Sequence, residues 1–483
     1  MKPRCPPICR DNMLVYLTLA AGMLLAWLPL FGRSLPFSDD FDFMSVISEG
    51  GIPGYLRWLG FFRPLGQYLP VWLFLENRGF HPILVLSTHL ISGILLFHVC
   101  RSLYGGIRLP VAVALVFLMF PFGYEAMVWI ANYSYVLAPM FLLANLLLLL
   151  EHTKRNWPAS VTFCLSAGLA LLTSLSHEIL FFATVFSGLF ACIDARTGRF
   201  RSLKSIRGGW WLPFAPIVGC GLWAVAYYSV VGQSRPKRIT GLHLQTIVSV
   251  SFRQYSLTDI FHPWFSAVTR PLAFSAWSVA TWIACACLIS LLLAGLIMLS
   301  GIPAPQDGRR GTGFHALVAT LALWFGASLI FAFGGGYSLD SRKKYPLLPL
   351  LLLIACWFCR ALRNKLPVSP GAFWAVGSVV CCSAAMSSWL IVGIWKYESA
   401  RYNALADFIV KHKLRGHVLV RWKPDLNVAW PQMARTVGYR FDDPAALNLA
   451  VEYRGGSDVN VTSSAQATAI RYDPAPCRWF FAK

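Results

Sequence analysis

The feature that most constrains this chain is the repetition of long apolar runs before residue 396. About 20 consecutive apolar residues cross a bilayer once as an α-helix, and such a helix satisfies its own backbone hydrogen bonds. Of the 483 residues, 57% are hydrophobic and 13% are charged, whereas soluble domains are about 25% charged. These values exclude a disordered chain, a soluble nucleic-acid-binding protein and a secreted disulfide scaffold. The fold class that they predict is an all-α polytopic membrane protein.

Eleven of these runs are predicted to be transmembrane helices. The first follows a basic N-terminus as in a signal peptide, but Phe31-Gly32-Arg33 is a poor cleavage site, so we expect an uncleaved span. The third run is short and is typical of a tilted or broken helix. The predicted spans are residues 13–32, 83–100, 109–122, 131–150, 158–175, 179–195, 211–231, 273–300, 314–334, 345–360 and 370–395.

The distribution of basic residues predicts the orientation of these helices. The formal net charge is +21, and basic loops that set topology explain it more simply than a nucleic-acid partner does. With the N-terminus in the cytoplasm, the inner loops are short and basic, and the C-terminus lies outside. Nine of the 13 acidic residues before residue 396 then fall on the outer side. Because acids set topology only weakly, this concentration predicts a functional outer face.

The chain is predicted to divide into two domains near residue 396. Residues 1–395 form the transmembrane domain, and residues 396–483 form a small extracytoplasmic C-terminal α/β domain. An amphipathic helix is expected over residues 398–412, because Tyr402, Leu405, Phe408 and Ile409 fall on one face. Strands are expected at 418–422, 447–453 and 468–472.

Three carboxylates follow the first predicted span. Asp39, Asp40 and Asp42 alternate with aromatic residues at the membrane surface. Carboxylates this close repel one another, which favours a raised pKa for one of them and makes it a proton acceptor near neutral pH. The alternative is a solvated loop in which Asp42 caps a helix.

Four further ionisable residues are candidates on the outer side. Arg63 stands among aromatic residues and is placed either to bind a phosphate or the aspartates, or to snorkel from an interfacial helix. Glu125 lies between two apolar runs, where an ionisable group is functional or pairs with an arginine. His177 and Glu178 occupy the next outer turn, where the histidine either binds substrate or caps a helix.

Two basic segments oppose the positive-inside rule, since both fall outside in this topology. Basic residues at the headgroup level suit a lipid phosphate; the alternative is that the number of spans differs by one. The first segment contains Arg235, Lys237 and Arg238, and the second contains Arg342, Lys343 and Lys344.

In this order, the motifs resemble GT-C glycosyltransferases, and in particular the membrane half of the transmembrane and tetratricopeptide-repeat O-mannosyltransferases. The resemblance covers residues 13–195 and is thin beyond them. Phe120 stands where the family has histidine, His177 stands where it has lysine, and the repeats are absent, so a protein acceptor is not implied. The matching residues are Asp39-Asp40, Arg63-Pro64-Leu65, Pro121, Glu125, Ala126, Trp129, His177-Glu178 and, loosely, Lys344-Tyr345 with Pro349.

The resemblance implies a membrane glycosyltransferase that uses a polyprenyl-phosphate sugar donor. Asp39 and Asp40 would be catalytic, and the second basic segment would bind the lipid phosphate, with Arg63 or the first segment as rivals. Asp42, Arg63, Glu125, His177 and Glu178 would bind substrate. A divalent cation, Mg²⁺ or Mn²⁺, would be held by the aspartates if one is used. The acceptor would be a glycan, a lipid or a protein.

Two other function classes stay open from the sequence. One is a transporter or flippase for a lipid-linked or small solute, which would favour inverted repeats and ionisable groups at mid-membrane. The other is a non-catalytic assembly protein of the cell envelope, which would not need both Asp39 and Asp40. The plain N-terminus fits a bacterial inner membrane, with the N-terminus cytoplasmic and the C-terminus periplasmic.

The odd number of spans generates a topology prediction. A reporter that is active only outside the cytoplasm, fused after Lys483, should be active in cells, whereas the same reporter fused before Met1 should be silent. A cytoplasmic signal from the C-terminal fusion would contradict the eleven-span topology.

Overall fold

The computed structural model describes most of the helical part of the chain and portions of the C-terminal region. The described residues are 7–31, 36, 39–58, 63–77, 79–120, 124–155, 157–194, 199–201, 210–230, 287, 289–297, 314–333, 345–363, 370–414, 416–420, 444–454, 459–462, 468–473 and 478–481. Within them, the side chain of Asp39 is not among those described.

Helices account for most of the described residues before residue 396, as the apolar runs predict. Six stretches of the described residues are long and apolar enough to cross a membrane, which confirms the polytopic helical fold. The count of eleven stays a prediction, because the run at 273–300 falls mostly outside the described residues. The helices are α1 (Pro7–Trp27), α2 (Asp39–Trp58), α3 (Leu69–Glu76), α4 (Phe80–Tyr104), α5 (Arg108–Met119), α6 (Tyr124–Val128), α7 (Tyr133–Arg155), α8 (Ala159–Ser176), α9 (Phe181–Phe186), α10 (Ala215–Val230), α11 (Phe314–Phe333), α12 (Leu348–Arg363) and α13 (Pro370–Lys411).

Helix α7 lies at the centre of the bundle and packs against α4 and α8, and α8 packs in turn against α10. Apolar contact does not favour association of helices in lipid, so polar side chains between helices supply part of the attraction. Asn145 of α7 shows this, because its amide accepts from the Ser166 hydroxyl at 2.7 Å and donates to the Ser187 hydroxyl at 2.9 Å. The peripheral helix α10 instead exposes Leu222 and Val225, as a lipid-facing helix should.

The carboxyl end of α5 joins several helices. The last carbonyl groups of any helix lack partners in the helix itself. Here the Leu118 carbonyl accepts from Trp27 Nε1 at 2.8 Å and from His89 Nε2 at 3.0 Å, and the Met119 carbonyl accepts from the Ser388 hydroxyl at 3.0 Å. Helices α1, α4 and α13 therefore all bind the end of α5.

His89 extends this junction to the start of α12. Its Nε2 faces a carbonyl, which only accepts, so in the neutral ring Nδ1 accepts a hydrogen bond. The donor is the hydroxyl of Tyr345, at 2.5 Å. Tyr345 begins the turn Tyr345–Leu347 that leads into α12, and it directly follows the second basic segment in the sequence.

The segment between α1 and α4 contains a kinked helix and a tight turn. Helix α2 changes direction at Gly51, whose positive φ of 53° suits glycine. The turn Pro64–Tyr68 then passes between two spans, and a Cβ on Gly66 would lie 2.5 Å from the Ser176 carbonyl oxygen. Only glycine fits this crossing of the turn with the ends of α7 and α8.

The predicted last span and the amphipathic helix form one continuous helix, which corrects the expectation of two separate elements. Helix α13 has 42 residues and is about 63 Å long at 1.5 Å per residue, twice the hydrocarbon thickness. No proline or glycine lies between Trp395 and Lys411 to end it. Tyr402, Leu405 and Ile409 are buried on one face, as predicted.

The C-terminal region contains a mixed four-stranded sheet and one helix in its described residues. The strands are β1 (Gly416–Val420), β2 (Val459–Thr462), β3 (Thr468–Asp473) and β4 (Arg478–Phe481), in the order β2-β1-β3-β4. Strand β1 pairs in parallel with β2 and β3, and β3 pairs antiparallel with β4. The strands expected at 418–422 and 468–472 coincide with β1 and β3, and the domain division at residue 396 stays a prediction.

The strand expected at 447–453 is wrong, because helix α14 (Pro444–Tyr453) occupies this segment. Proline at the first helical position and two alanines after it favour a helix start. Leu447, Ala450 and Val451 are buried at helical spacing. The apolar run from Leu447 is short enough to fit either the period of a helix or that of a strand. Pro444 was the signal in the sequence that favoured the helix.

Candidate functional site

The carboxylates that follow the first span belong to a helix. Asp39 is the first residue of α2, so the aspartates occupy its first turn, where negative charge complements the helix dipole. Asp40 is 1% exposed, and its Oδ1 accepts a hydrogen bond of 2.7 Å from the backbone N–H of Ala131. Asp42 is half-buried. The alternative of a solvated loop capped by Asp42 is therefore wrong, since this segment is a helix whose first turn is anchored.

Glu125 is buried in the segment that shortly precedes Ala131, the residue that binds Asp40. It lies in the short helix α6 and is 2% exposed. The rings of Tyr124 and Trp129, on either side of it, contact the ring of Trp395 in α13, with centroids 6.4 and 6.2 Å apart. Long helix α13 thus holds the segment that carries Glu125.

Arg63 forms a two-point ion pair with Glu178, 115 residues away. Arg63 Nε donates to Glu178 Oε2 at 2.6 Å, and Nη2 donates to Oε1. Burial alone would lower the pKa of Arg63 and raise that of Glu178, but the mutual attraction outweighs burial for both groups. The pKa of Arg63 is raised, and the pKa of Glu178 is lowered to about 2. The partners predicted for Arg63 were a phosphate and the aspartates, and the structure adds Glu178, which the sequence analysis did not name as a partner.

His177 caps the short turn that contains Glu178. Its Nδ1 accepts from the backbone N–H of Ile179 at 3.1 Å, and its ring packs on the ring of Tyr135 with centroids 4.1 Å apart. Nδ1 also lies 3.5 Å from Glu178 Oε2. The capping role that the sequence left open is therefore present.

Two residues of this cluster were missed by the sequence reasoning. Tyr55 is fully buried and donates its hydroxyl hydrogen to Gln67 Oε1 at 3.3 Å. Burial raises the pKa of Tyr55, and the nearby charge of Arg63 opposes this rise. Gln67 lies within the motif that begins at Arg63. The signal that the sequence offered was therefore a polar residue four positions after that arginine.

Asp40 and the cluster of Arg63, Glu178 and His177 meet at one short segment, residues 131–135. Ala131 donates to Asp40, Ser134 lies against Gly66, and Tyr135 packs on His177. The structure therefore brings Asp40 and the ion pair of Arg63 with Glu178 to the same end of α7. The predicted phosphate-binding residues Arg235, Lys237, Arg238, Arg342, Lys343 and Lys344 lie outside the described residues.

A metal site is not visible in the part of the chain that the structure describes, where no three His, Cys, Asp or Glu side chains come together. The carboxylate of Asp39 belongs to the undescribed part. The expected divalent cation therefore stays a prediction.

No protein-family model and no curated protein matches the sequence. Among solved structures, the chain is similar to ArnT from Cupriavidus metallidurans bound to undecaprenyl phosphate. The identity is 12% and the TM-score is 0.44, over 95% of this chain and 93% of that one. It is also similar to the Archaeoglobus fulgidus oligosaccharyltransferase tethered with an acceptor peptide, with 10% identity and a TM-score of 0.38, over 86% of this chain and 62% of that one.

The chain spans less than two thirds of the length of the oligosaccharyltransferase, at 62%. With identities of 10–12%, the roles of individual residues are argued from this chain alone.

The buried ion pair generates a stability prediction. Glu178→Gln should lower the melting temperature, because it leaves the buried Arg63 charge without its partner, at a cost of about 3 kcal/mol. Arg155→Gln is the control, because Arg155 is 63% exposed in its pair with Glu151 and such pairs contribute under about 1 kcal/mol. The Glu178 carboxylate contributes stability above its unfolded pKa near 4.5, and this contribution is lost as the pH falls toward 2.

The difference in melting temperature between wild type and Glu178→Gln should therefore be constant from pH 6 to 8 and shrink in acid. Thermal unfolding in detergent, from pH 8 down into the acid range, measures this difference in melting temperature. Equal melting temperatures for Glu178→Gln and wild type at pH 7 would show that the pair does not hold the outer turn.

Proposed function

We propose that this protein is a membrane glycosyltransferase that moves a sugar from a polyprenyl-phosphate donor to an acceptor hydroxyl on the outer face of the membrane. The observation that carries the proposal is the gathering of Asp40 and the ion pair of Arg63 with Glu178 around residues 131–135. Ionisable side chains buried beside membrane spans are costly, and functional sites are where such groups are found. The role of the transfer would be the assembly of a cell-envelope glycan.

The proposed reaction is a single displacement at the anomeric carbon of the donor sugar. The acceptor oxygen forms a bond to this carbon while the bond to the phosphate oxygen breaks, and the configuration inverts. Asp39 or Asp40 takes the proton of the acceptor hydroxyl, which contributes about 10²–10⁴-fold to the rate. A β-linked donor would therefore give an α-linked product and a free polyprenyl phosphate.

The leaving phosphate needs positive charge that is already in place. Arg63 was one candidate, but both of its donor positions toward Glu178 are occupied in the ion pair. This pairing favours the basic segments, and we assign the phosphate to Arg342, Lys343 and Lys344, with Arg235, Lys237 and Arg238 as rivals. Fixed cations of this kind stabilise the charge that develops in the transition state.

The remaining candidates divide between binding and support. Glu125 and Asp42 are proposed to orient the sugar or the acceptor. His177 and Glu178 are proposed to act through Arg63, which holds the turn Pro64–Tyr68 in place. If a divalent cation is used, Asp39 and Asp40 would hold it, since Mg²⁺ is commonly bound by one or two carboxylates together with substrate phosphates. It would neutralise charge on the departing phosphate.

Asp40→Asn should abolish release of polyprenyl phosphate from purified protein supplied with a panel of polyprenyl-phosphate sugars. Asparagine keeps the shape of aspartate and an oxygen that accepts from the Ala131 N–H, but it cannot act as a base. Loss of release would therefore report the lost carboxylate rather than the lost anchor. Mass spectrometry of the released lipid also names the donor sugar.

The control for this experiment is Glu49→Gln, on the same helix. Glu49 is exposed and contacts only a helix neighbour among its described partners, Ser45, at 3.1 Å. It should retain wild-type release. Asp39→Asn should also abolish release, and normal activity of both aspartate variants would remove the proposed base.

Replacing Arg342, Lys343 and Lys344 together with glutamine should raise the donor KM about tenfold or more, because phosphate contacts from cations are strong and charge-assisted. Steady-state kinetics with the donor identified above measure this. The matched control replaces Arg235, Lys237 and Arg238 in the same way. An unchanged donor KM in the first variant, with a raised KM in the second, would move the phosphate site to the first segment.

A further inference from the structure

The motif around Asp39 and Asp40 contains an aromatic residue that the proposed chemistry does not use. Phe41 follows Asp40 directly and is 1% exposed. Its ring lies against the rings of Tyr402 and Tyr453, with centroids 6.4 and 5.6 Å away. Tyr402 belongs to α13 and Tyr453 to α14, so these two elements contribute to the burial of Phe41.

Arg454 completes this contact. Its guanidinium carbon lies 5.1 Å from the centroid of the Phe41 ring, within the range of a cation–π interaction. It also donates through Nη2 to Asn403 Oδ1 and through Nη1 to the Ala450 carbonyl at 2.9 Å. The ion pair of Nε with Asp407 at 2.6 Å is more exposed, since the Asp407 side chain is 67% exposed.

Asn403 extends the contact of the C-terminal region to the residues that precede the aspartates. Its Nδ2 donates to the Pro36 carbonyl at 3.1 Å and to the Ser399 carbonyl at 2.8 Å. Pro36 precedes Asp39 by three residues, and Phe41 follows Asp40 by one. The C-terminal region therefore binds the chain both before and after the aspartate pair.

The aspartate helix is thus held from two directions. Asp40 binds Ala131 at the start of α7, and the next residue, Phe41, is buried against α13, α14 and Arg454. Successive residues of a helix point about 100° apart, so these two anchors together define both the position and the rotation of the first turn of α2.

We propose that Arg454 is a positioning residue for the aspartate pair, and that the C-terminal region sets the rate of transfer through its contact with Phe41. This inference rests on the proposed glycosyltransferase function. Displacement requires the base at a defined distance from the acceptor oxygen, and a shift near 1 Å is enough to slow such a step strongly. The donor phosphate is assigned to other residues, so the effect of Arg454 falls on the rate and not on donor binding.

The test uses the purified full-length protein and its Arg454→Ala variant. Arg454→Ala should lower kcat for polyprenyl-phosphate release about tenfold and change the donor KM less than about twofold. Hydrogen–deuterium exchange of peptides covering residues 39–50 should be faster in Arg454→Ala than in wild type. Arg454→Lys should restore part of kcat, because lysine keeps a cation over the Phe41 ring but loses the guanidinium fork.

The matched control is Arg155→Ala. Arg155 makes the same types of contact, with an ion pair to Glu151 and its guanidinium carbon 5.8 Å from the Trp157 ring centroid, but it is far from α2 in the sequence and makes no described contact with it. It should leave kcat and exchange in residues 39–50 unchanged. Asp407→Asn should have a small effect, because exposed ion pairs are weak. Phe41→Leu, which keeps apolar volume and removes the ring, should reproduce Arg454→Ala.

Two results would overturn the proposal. One is unchanged exchange in residues 39–50 for both Arg454→Ala and Phe41→Leu; the other is a raised donor KM with kcat intact. Failure of the proposed function is distinguishable, because wild-type protein would then release no polyprenyl phosphate from any donor. In that case the exchange measurement still decides whether Arg454 holds the aspartate helix.

Discussion

The end of the bundle where α7 begins depends on one part-buried ion pair, that of Arg63 with Glu178. Burying either charge alone would cost several kcal/mol, and the two-point geometry of the pair compensates for that cost. The pair joins the segment between α1 and α4 to the turn between α8 and α9. Once these are joined, the turn Pro64–Tyr68 must pass against Ser134 and Ser176, where only Gly66 fits. The turn Pro64–Tyr68 therefore packs between the start of α7 and the end of α8.

The carboxylate of Asp40 is also buried, but its described partner is of a different kind. Its Oδ1 accepts a hydrogen bond from the backbone N–H of Ala131. The carboxylate of Glu178, in contrast, forms an ion pair with Arg63. The proposed function accordingly gives Asp40 a role in chemistry and Glu178 a role in holding Arg63. From the resemblance, Asp40 was expected to be catalytic and Glu178 was expected to bind substrate.

The helical part of the fold was predictable because it depends on apolar length, which is a local property. The expected span at 83–100 falls within α4, and those at 131–150 and 158–175 begin within two residues of α7 and α8 and end inside them. Local patterns were weaker where apolar runs were short, as at residues 447–453, where a helix occupies an expected strand. The continuity of α13 beyond the membrane was missed because the change in polarity at Lys396 coincides with no helix-breaking residue. The partners of the ionisable residues were least predictable, since Arg63 and Glu178 are 115 residues apart.

The continuity of α13 connects the membrane helices mechanically to the C-terminal region. Within one helix, Ser388 binds the end of α5, Trp395 packs on the rings beside Glu125, and Asn403 binds both Pro36 and Arg454. A rigid helix transmits position along its length, so the segments that carry Asp40 and Glu125 take their separation from α13 as well as from α7. A chain ended after the last span would keep its membrane helices but lose Tyr402, Asn403 and Arg454. The first turn of α2 would then be held by Asp40 on one side and face water on the other.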